Sequence, residues 1–148
     1  MLKLMYITNR ADIAQIAESA GVDRIFVDLE FIGKSDRQGG MDTVQSKHTL
    51  DDIKVIANAI TSAELLVRVN PIHNEQENYP SSKIEIDTAI ANGARVLMLP
   101  YFKTLEEVEK FIDFVDGRAK TMLLLETPEA VEIIDEILEL KGLDEIFI

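Results

Sequence analysis

A short unit that appears near both ends of the sequence constrains the fold more than any other feature. Residues 21–27 read GVDRIFV and residues 142–148 read GLDEIFI, and a looser copy, GARVLML, occupies residues 93–99. In each copy a glycine precedes a run of apolar residues, as in a loop that leads from a helix end into a buried strand. The repeat therefore predicts a β/α fold, in which strands and helices alternate along the chain.

The rest of the sequence has the same alternation of short apolar blocks and longer segments with helical period, which is typical of a parallel sheet covered by helices. The predicted strands are residues 3–8, 24–29, 65–69, 95–99, 121–125 and 145–148. The predicted helices are residues 11–20, 50–61, 82–92, 105–116 and 128–140. We therefore expect about six parallel strands and five helices.

Local signals support these boundaries. Thr49 with Asp52 has the spacing of a capping box, in which a hydroxyl and a carboxylate satisfy the first amides of a helix. Thr104 with Glu107 has the same spacing. A glycine falls just after each of four predicted helices, where a left-handed residue ends a helix. These glycines are Gly21, Gly93, Gly117 and Gly142.

Length and charge narrow the class of protein and of partner. The 148 residues predict a single domain, 1–148, that is long enough to bury a core. With 15 basic and 27 acidic residues the formal net charge is -12, which argues against nucleic acid or an anionic membrane as a partner. The sequence has no cysteine and hence no disulfide framework, so we expect a cytoplasmic location.

Polar residues follow the predicted strands at the points where the strands end. They are Asp28, Glu30, Arg68, Asn70, Tyr101, Lys103 and Glu126. Because the carboxyl ends of parallel strands meet at one end of a β/α fold, we expect these side chains to face one shallow bowl. This bowl is the candidate site.

Arg68 interrupts the apolar run of residues 65–69, where a guanidinium is costly to desolvate unless it meets an anion. Two interpretations stay open. The planar guanidinium can bind a carboxylate or enolate ligand, or it can form an internal ion pair with Asp28 or Glu30. These two acids lie on the same side of an extended segment and suit three roles, as a base, as support for a metal site or as partners of Arg68.

Other polar residues also have two interpretations each. Glu126 either binds a divalent cation, which prefers hard oxygen ligands, or is a first-turn acid favoured by the helix dipole. His48 comes directly before Thr49, which favours a surface residue beside a helix start over a proton-transfer role. His73 has the same two interpretations. Three cations of the loop after the second strand either attract an acidic substrate or are simply solvated: Lys34, Arg37 and Lys47.

Five short motifs, taken in order, resemble those of one known family. They are AESAGVD at residues 17–23, VDLE at 27–30, LVRVNP at 66–71, MLP at 98–100 and LET at 125–127. The series is similar to that of the HpcH/HpaI aldolase and citrate lyase family, within the phosphoenolpyruvate/pyruvate superfamily. Each motif alone is weak, but together they span nearly the whole chain.

The resemblance implies a (β/α)₈ barrel of the TIM type with a divalent metal, Mg²⁺ or Mn²⁺, at the carboxyl ends of the strands. Such a protein acts on a small carboxylate substrate and cleaves or forms a carbon–carbon bond next to a 2-oxo acid or an acyl-coenzyme A. Arg68 is similar to the arginine that holds the enolate, and we expect Asn70 beside it to bind substrate. Glu126 is similar to the first metal-binding carboxylate.

The sequence departs from the family pattern at three places. Phe31 stands where aldolases often have a histidine, and Leu124 stands where they tend to have a glutamine. The second metal-binding aspartate of the family comes after the sixth strand, past Ile148. A full barrel has roughly 200 to 250 residues, so we expect a truncated, incomplete barrel with two open sheet edges that favour a homo-oligomer.

The sequence also allows other interpretations. The alternative architecture is an open parallel sheet. The alternative functions are a catalytically silent β/α domain fragment and a relative of the acyl-coenzyme A lyases.

Overall fold

Strands and helices alternate through the residues that this computed structural model describes, which are 2–33 and 47–148. The strands are β1 (Met5–Ile7), β2 (Arg24–Asp28), β3 (Glu64–Arg68), β4 (Val96–Leu99), β5 (Lys120–Leu124) and β6 (Glu145–Phe147). The helices of these ranges are α1 (Ala11–Ser19), α2 (Leu50–Ala59), α3 (Ser82–Ala91), α4 (Leu105–Val115), α5 (Pro128–Glu132) and α6 (Ile134–Leu138). All six strands are parallel and follow one another in chain order across a single sheet.

The predicted helix ends are mostly confirmed. Both capping boxes form, with Thr49 and Thr104 each accepting a hydrogen bond from the third residue of its helix. The prediction of one continuous helix over residues 128–140 is wrong, because the helix breaks at Ile133 (φ -105, ψ 15) into α5 and α6. Two adjacent β-branched residues, Ile133 and Ile134, fall at the break, and β-branching lowers helix propensity.

The two faces of the sheet bury different sets of side chains. Val27, Val67 and Leu97 point towards the helices and join the larger core. Alternate residues of the same strands point to the opposite face and form a second apolar cluster. Its members are Phe26, Leu66, Val96, Met98, Met122 and Leu124. Because both faces are covered, the strands are apolar along nearly their whole length, as the sequence indicated.

A buried arginine shows that the sheet is curled. Arg24 on β2 donates to Glu64 on the neighbouring β3 (3.0 Å) and, with Nη1 and Nη2, to Glu145 on β6 (2.6 Å). In a flat sheet β6 would lie about 19 Å from β2, because adjacent strands are about 4.8 Å apart. The second cluster therefore lines a concave face, and the fold is an incomplete barrel of the TIM type rather than an open sheet.

No helix within the described ranges is both long and apolar enough to cross a membrane.

Candidate active site

The carboxyl ends of β2 and β3 bring three of the expected site residues together. Asp28 and Arg68 are register partners on these adjacent strands. Arg68 donates from Nε to Asp28 Oδ1 (2.9 Å) and from Nη2 to Asp28 Oδ2 (2.8 Å). Its Nε also lies 3.3 Å from Glu30 Oε2. The ion-pair interpretation of Arg68 is thus confirmed, and the pair uses one edge of the guanidinium.

The other edge of the guanidinium carries no bond within the described residues. Nη1 of Arg68 makes no hydrogen bond to any described residue. Every buried side-chain nitrogen or oxygen of the described residues has a hydrogen-bond partner. Since Nη1 has none, it is not buried and is open to solvent. The Arg68 side chain is 17% exposed, whereas that of Asp28 is 3% exposed. The guanidinium carbon also lies 5.4 Å from the ring centroid of Phe26. Arg68 is therefore held on one side and available on the other.

The electrostatics of this cluster keep Arg68 charged. Burial by itself lowers the pKa of Arg68, but the hydrogen bonds and charge of Asp28, followed by the charges of Glu30 and Glu126, raise it above its ordinary value. Glu126, at the end of β5, is the weakest of these causes. A permanent positive charge thus sits among three acids at the end of the concave face.

His48 is tied to the same cluster through the backbone. Its Nδ1 accepts a hydrogen bond from the Asp28 N–H (2.9 Å), so the neutral ring carries its proton on Nε2. His48 is half-buried and comes directly before Thr49, the N-cap of helix α2. Its bond from the Asp28 N–H links the start of this helix to the carboxyl end of β2.

Asn70 joins the loops after β2 and β3 to helix α3. Its Oδ1 accepts from the backbone N–H groups of Phe31 (2.8 Å) and Ile32 (2.9 Å). Its Nδ2 and its backbone N–H both donate to Glu85, each at 2.7 Å. The Asn70 side chain, for which we expected direct substrate contact, is thus engaged in holding the rim of the bowl.

Glu85 is a part of this rim that the sequence analysis missed. It is 3% exposed, and burial raises its pKa although the bonds from Asn70 oppose this shift. A signal was present, because Glu85 lies on the same helical stripe as Ser82, Ile86 and Ala89, which are all buried. A polar residue on a buried stripe indicates a buried hydrogen-bond partner.

Glu126 lies at the carboxyl end of β5 and is exposed. Its Oε1 accepts a hydrogen bond from the backbone N–H of Tyr101 (3.0 Å), and its Oε2 makes no bond to another described residue. Tyr101 has a left-handed backbone with a φ of 50°, a conformation that costs a residue with a side chain about 1 to 2 kcal/mol. The residues that follow Tyr101 and Glu126 are also hydrogen-bonded to each other, because Thr127 Oγ1 donates to the Phe102 carbonyl (2.7 Å).

The donor set of the described residues fits a divalent cation only in part. Glu126 offers one hard oxygen of the kind that Mg²⁺ and Mn²⁺ prefer. Residues 2–33 and 47–148 contain no group of three His, Cys, Asp or Glu side chains that could hold a metal ion by themselves. Mg²⁺ commonly keeps several waters and takes one or two carboxylates together with substrate oxygens, so a single protein ligand from this part of the chain is compatible with such a site.

The remaining candidates lie away from the cluster. The two ring nitrogens of His73 contact the carbonyl oxygens of Pro71 (2.7 Å) and Pro80 (2.8 Å), so the ring cross-links its own loop. Lys103 pairs with Glu129 at 3.0 Å. Lys47 is exposed, and the predicted roles of Lys34 and Arg37 fall outside the described residues.

Comparison with known proteins places this geometry in a family. Residues 3–148 match the sequence model of the HpcH/HpaI aldolase/citrate lyase family. The chain belongs to that family. No curated protein matches it.

Solved structures support the same fold. An HpcH/HpaI aldolase from Desulfitobacterium hafniense DCB-2 is 19% identical with a TM-score of 0.69, and covers 97% of this chain, which spans 61% of that aldolase. An HpcH/HpaI aldolase/citrate lyase family protein from Burkholderia cenocepacia J2315 is 16% identical with a TM-score of 0.71, over 98% of this chain and 62% of its own. Phosphonopyruvate hydrolase in complex with oxalate and Mg²⁺ is 17% identical with a TM-score of 0.63, and the match covers 98% of this chain and 57% of the hydrolase.

The chain spans between 57% and 62% of the length of these three relatives. At such identities the likenesses establish the fold, a part of a TIM-type barrel, and the family match establishes the lineage.

Proposed function

We propose that this chain carries the 2-oxo-acid-binding side of a metal-dependent carbon–carbon lyase of the aldolase or citrate lyase type. The observation that supports the proposal best is that Arg68 is hydrogen-bonded along one edge of its guanidinium and open at the other. Asp28 holds Nε and Nη2, while Nη1 is open beside the end of the concave face. A guanidinium fixed in this way is oriented before a ligand arrives, so that little freedom is lost on binding.

The chemistry follows from where negative charge develops. In a retro-aldol step a base takes the proton of the substrate hydroxyl, and the carbon–carbon bond breaks as that oxygen becomes the carbonyl of the leaving product. The electron pair of the broken bond moves onto the 2-oxo acid product as an enolate, and a proton later returns to its carbon. Arg68 donates through Nη1 to a carboxylate or enolate oxygen and stabilises this charge as it forms. Asp28 and Glu30 keep the guanidinium in place, and Asn70 contributes to substrate binding by fixing the two loops beside it.

A divalent cation, Mg²⁺ or Mn²⁺, would take Oε2 of Glu126 as one ligand and, when bound, would polarise the substrate carbonyl as a Lewis acid. That the metal is Mg²⁺ or Mn²⁺ and that the substrate is a small carboxylate are both parts of this proposal. Phosphonopyruvate hydrolase has been solved in complex with oxalate and Mg²⁺, which supports testing these two ligands first.

Isothermal titration calorimetry with Mg²⁺ and oxalate tests the proposal. Arg68→Lys keeps a positive charge near Asp28 but removes the planar fork, and we expect oxalate affinity to fall about ten- to hundredfold, as for one lost charged hydrogen bond. Arg95→Lys is the matched control, because Arg95 is exposed at the amino-terminal end of β4, far from the site. Equal affinity of the Arg68 variant and wild type would contradict the proposal.

The bonds of Arg68 to Asp28 and Glu30 favour a second candidate, a catalytically silent domain in which this cluster only stabilises the fold. In that case wild type binds neither Mg²⁺ nor oxalate. A relative of the acyl-coenzyme A lyases is the third candidate, and it predicts that coenzyme A thioesters compete with oxalate.

We also propose self-association. Each of β1 and β6 has one strand neighbour within the described residues, and unpaired strand edges can recruit another chain. Exposed apolar side chains accompany both edges, including Tyr6 (47%) and Phe147 (40%). Sedimentation velocity over a hundredfold concentration range distinguishes a monomer from an oligomer.

A further inference from the structure

Tyr101 has a backbone conformation that its place in the fold does not explain. Among the described residues, positive φ occurs outside glycine at Tyr101 and Asp116, both with a φ of 50°. Asp116 ends helix α4, where a left-handed residue is usual. Tyr101 instead follows strand β4, two residues after Leu99. Strained backbone held by its surroundings at the functional end of a fold indicates a functional role.

The conformation connects the loop after β4 to the loop after β5. The Tyr101 N–H donates to Glu126 Oε1 at 3.0 Å. The carbonyl of Phe102 accepts from Thr127 Oγ1 at 2.7 Å, and both of these residues are nearly fully buried, at 2% and 4% exposure. The buried bond therefore anchors the two loops, and the Tyr101 N–H acts from this anchor on the exposed carboxylate of Glu126.

We propose that Tyr101 is the positioning residue of Glu126: its left-handed backbone directs the N–H to Oε1, fixes the rotamer of the carboxylate and leaves Oε2 for a divalent cation. The inference rests on the proposed metal-binding role of Glu126. Groups that orient a metal ligand by hydrogen bonding typically change metal affinity ten- to a hundredfold when they are lost.

Two substitutions at the same position separate the backbone from the ring. Tyr101→Asn keeps a residue that tolerates the left-handed region, whereas Tyr101→Val introduces a β-branched residue for which that region is strongly disfavoured. Both remove the aromatic ring and its contact with Lys103, so their difference reports the backbone alone. Asp116→Val imposes the same backbone conflict at the far end of α4 and serves as the matched control.

Mn²⁺ affinity, measured from the electron paramagnetic resonance signal of free Mn²⁺, is the main readout, and circular dichroism melting without metal confirms folding. We expect Tyr101→Val to weaken Mn²⁺ binding about tenfold or more. Tyr101→Asn and Asp116→Val should stay within about twofold of wild type, although Asp116→Val lowers the melting temperature. Folded Tyr101→Val with wild-type affinity would overturn the inference.

Hydrogen exchange of the Tyr101 amide distinguishes failure of this inference from failure of the proposed function. If wild type binds no Mn²⁺ but the Tyr101 amide is protected and loses protection in Glu126→Ala, the metal role is wrong while the positioning of Glu126 stands. If the amide is unprotected in wild type, the positioning is wrong whatever the metal result.

Discussion

Arg24 should be the most sensitive ionic residue in the fold, because one guanidinium joins β2, β3 and β6. Its side chain is 2% exposed and donates to Glu64 and Glu145, which are 31% and 26% exposed. Arg24→Met keeps an unbranched side chain of similar length but removes all of these bonds. The two carboxylates then remain near each other at the amino-terminal end of the concave face without this shared cation.

The expected cost follows from burial. Removing one partner of a buried ion pair typically costs about 3 to 5 kcal/mol, because the remaining charge is left uncompensated. The two carboxylates keep roughly a quarter to a third of their exposure, and Glu64 keeps its ion pairs with Lys120 and Lys3. We therefore expect a cost no higher than the lower limit, about 3 kcal/mol. For a chain of this size that corresponds to a fall of roughly 10 °C in melting temperature.

The contribution of Arg24 to the free energy of unfolding should decrease as the pH falls. The bond from Arg24 is the main cause that lowers the pKa of Glu145 below its ordinary 4.5, and bonds from Lys120 and Arg24 lower that of Glu64. A carboxyl group with a lowered folded-state pKa contributes stability above its unfolded pKa and loses it as pH falls through the folded value. The difference between wild type and Arg24→Met should therefore be large at pH 7 and shrink below about pH 4.5.

Urea denaturation followed by circular dichroism measures these differences. Arg10→Met is the control, since Arg10 forms a similarly short pair with Asp12 but both side chains are mostly exposed, and exposed pairs contribute little to stability. Adding Glu64→Gln and Glu145→Gln to Arg24→Met should recover part of the loss. Equal costs for Arg24→Met and Arg10→Met would refute the argument that this network holds the curl of the sheet.

Three smaller predictions concern loops and helix ends, all measurable by urea denaturation. Backbone N–H groups lower the pKa of Glu18 to about 2, so Glu18→Gln should destabilise by about 0.5 to 1 kcal/mol at pH 7, and this cost should shrink below about pH 4.5 and vanish only below about pH 2. Gly93→Ala should cost more than Gly117→Ala, about 3 against 1 kcal/mol, because an added Cβ at Gly93 would lie 2.7 Å from Ala57 Cβ whereas one at Gly117 would meet nothing within 4 Å. Thr104→Ala should cost about 1 kcal/mol through loss of the capping box.

Features set by neighbouring residues could be predicted from the sequence, whereas features set by curvature could not. The capping box at Thr104 depends on a residue three positions away, so its spacing was sufficient. Arg24 begins a predicted strand and contacts Glu145, 121 residues away in the chain. Only the curl of the sheet brings the two together. The left-handed backbone of Tyr101 was equally invisible, because no residue type there signals a positive φ.

The register of β2 and β3 explains why the sequence left two interpretations of Arg68 open and why they do not exclude each other. Alternation along each strand places Asp28 and Arg68 on the same face, but pairing them requires knowing that the two strands are adjacent and in register. Once paired, the guanidinium has two edges. Asp28 binds the edge formed by Nε and Nη2, and this leaves Nη1 with a fixed direction. An ion pair that stabilises the fold thus also prepares the donor that the proposed reaction needs, since a donor held in advance is not reorganised as charge develops.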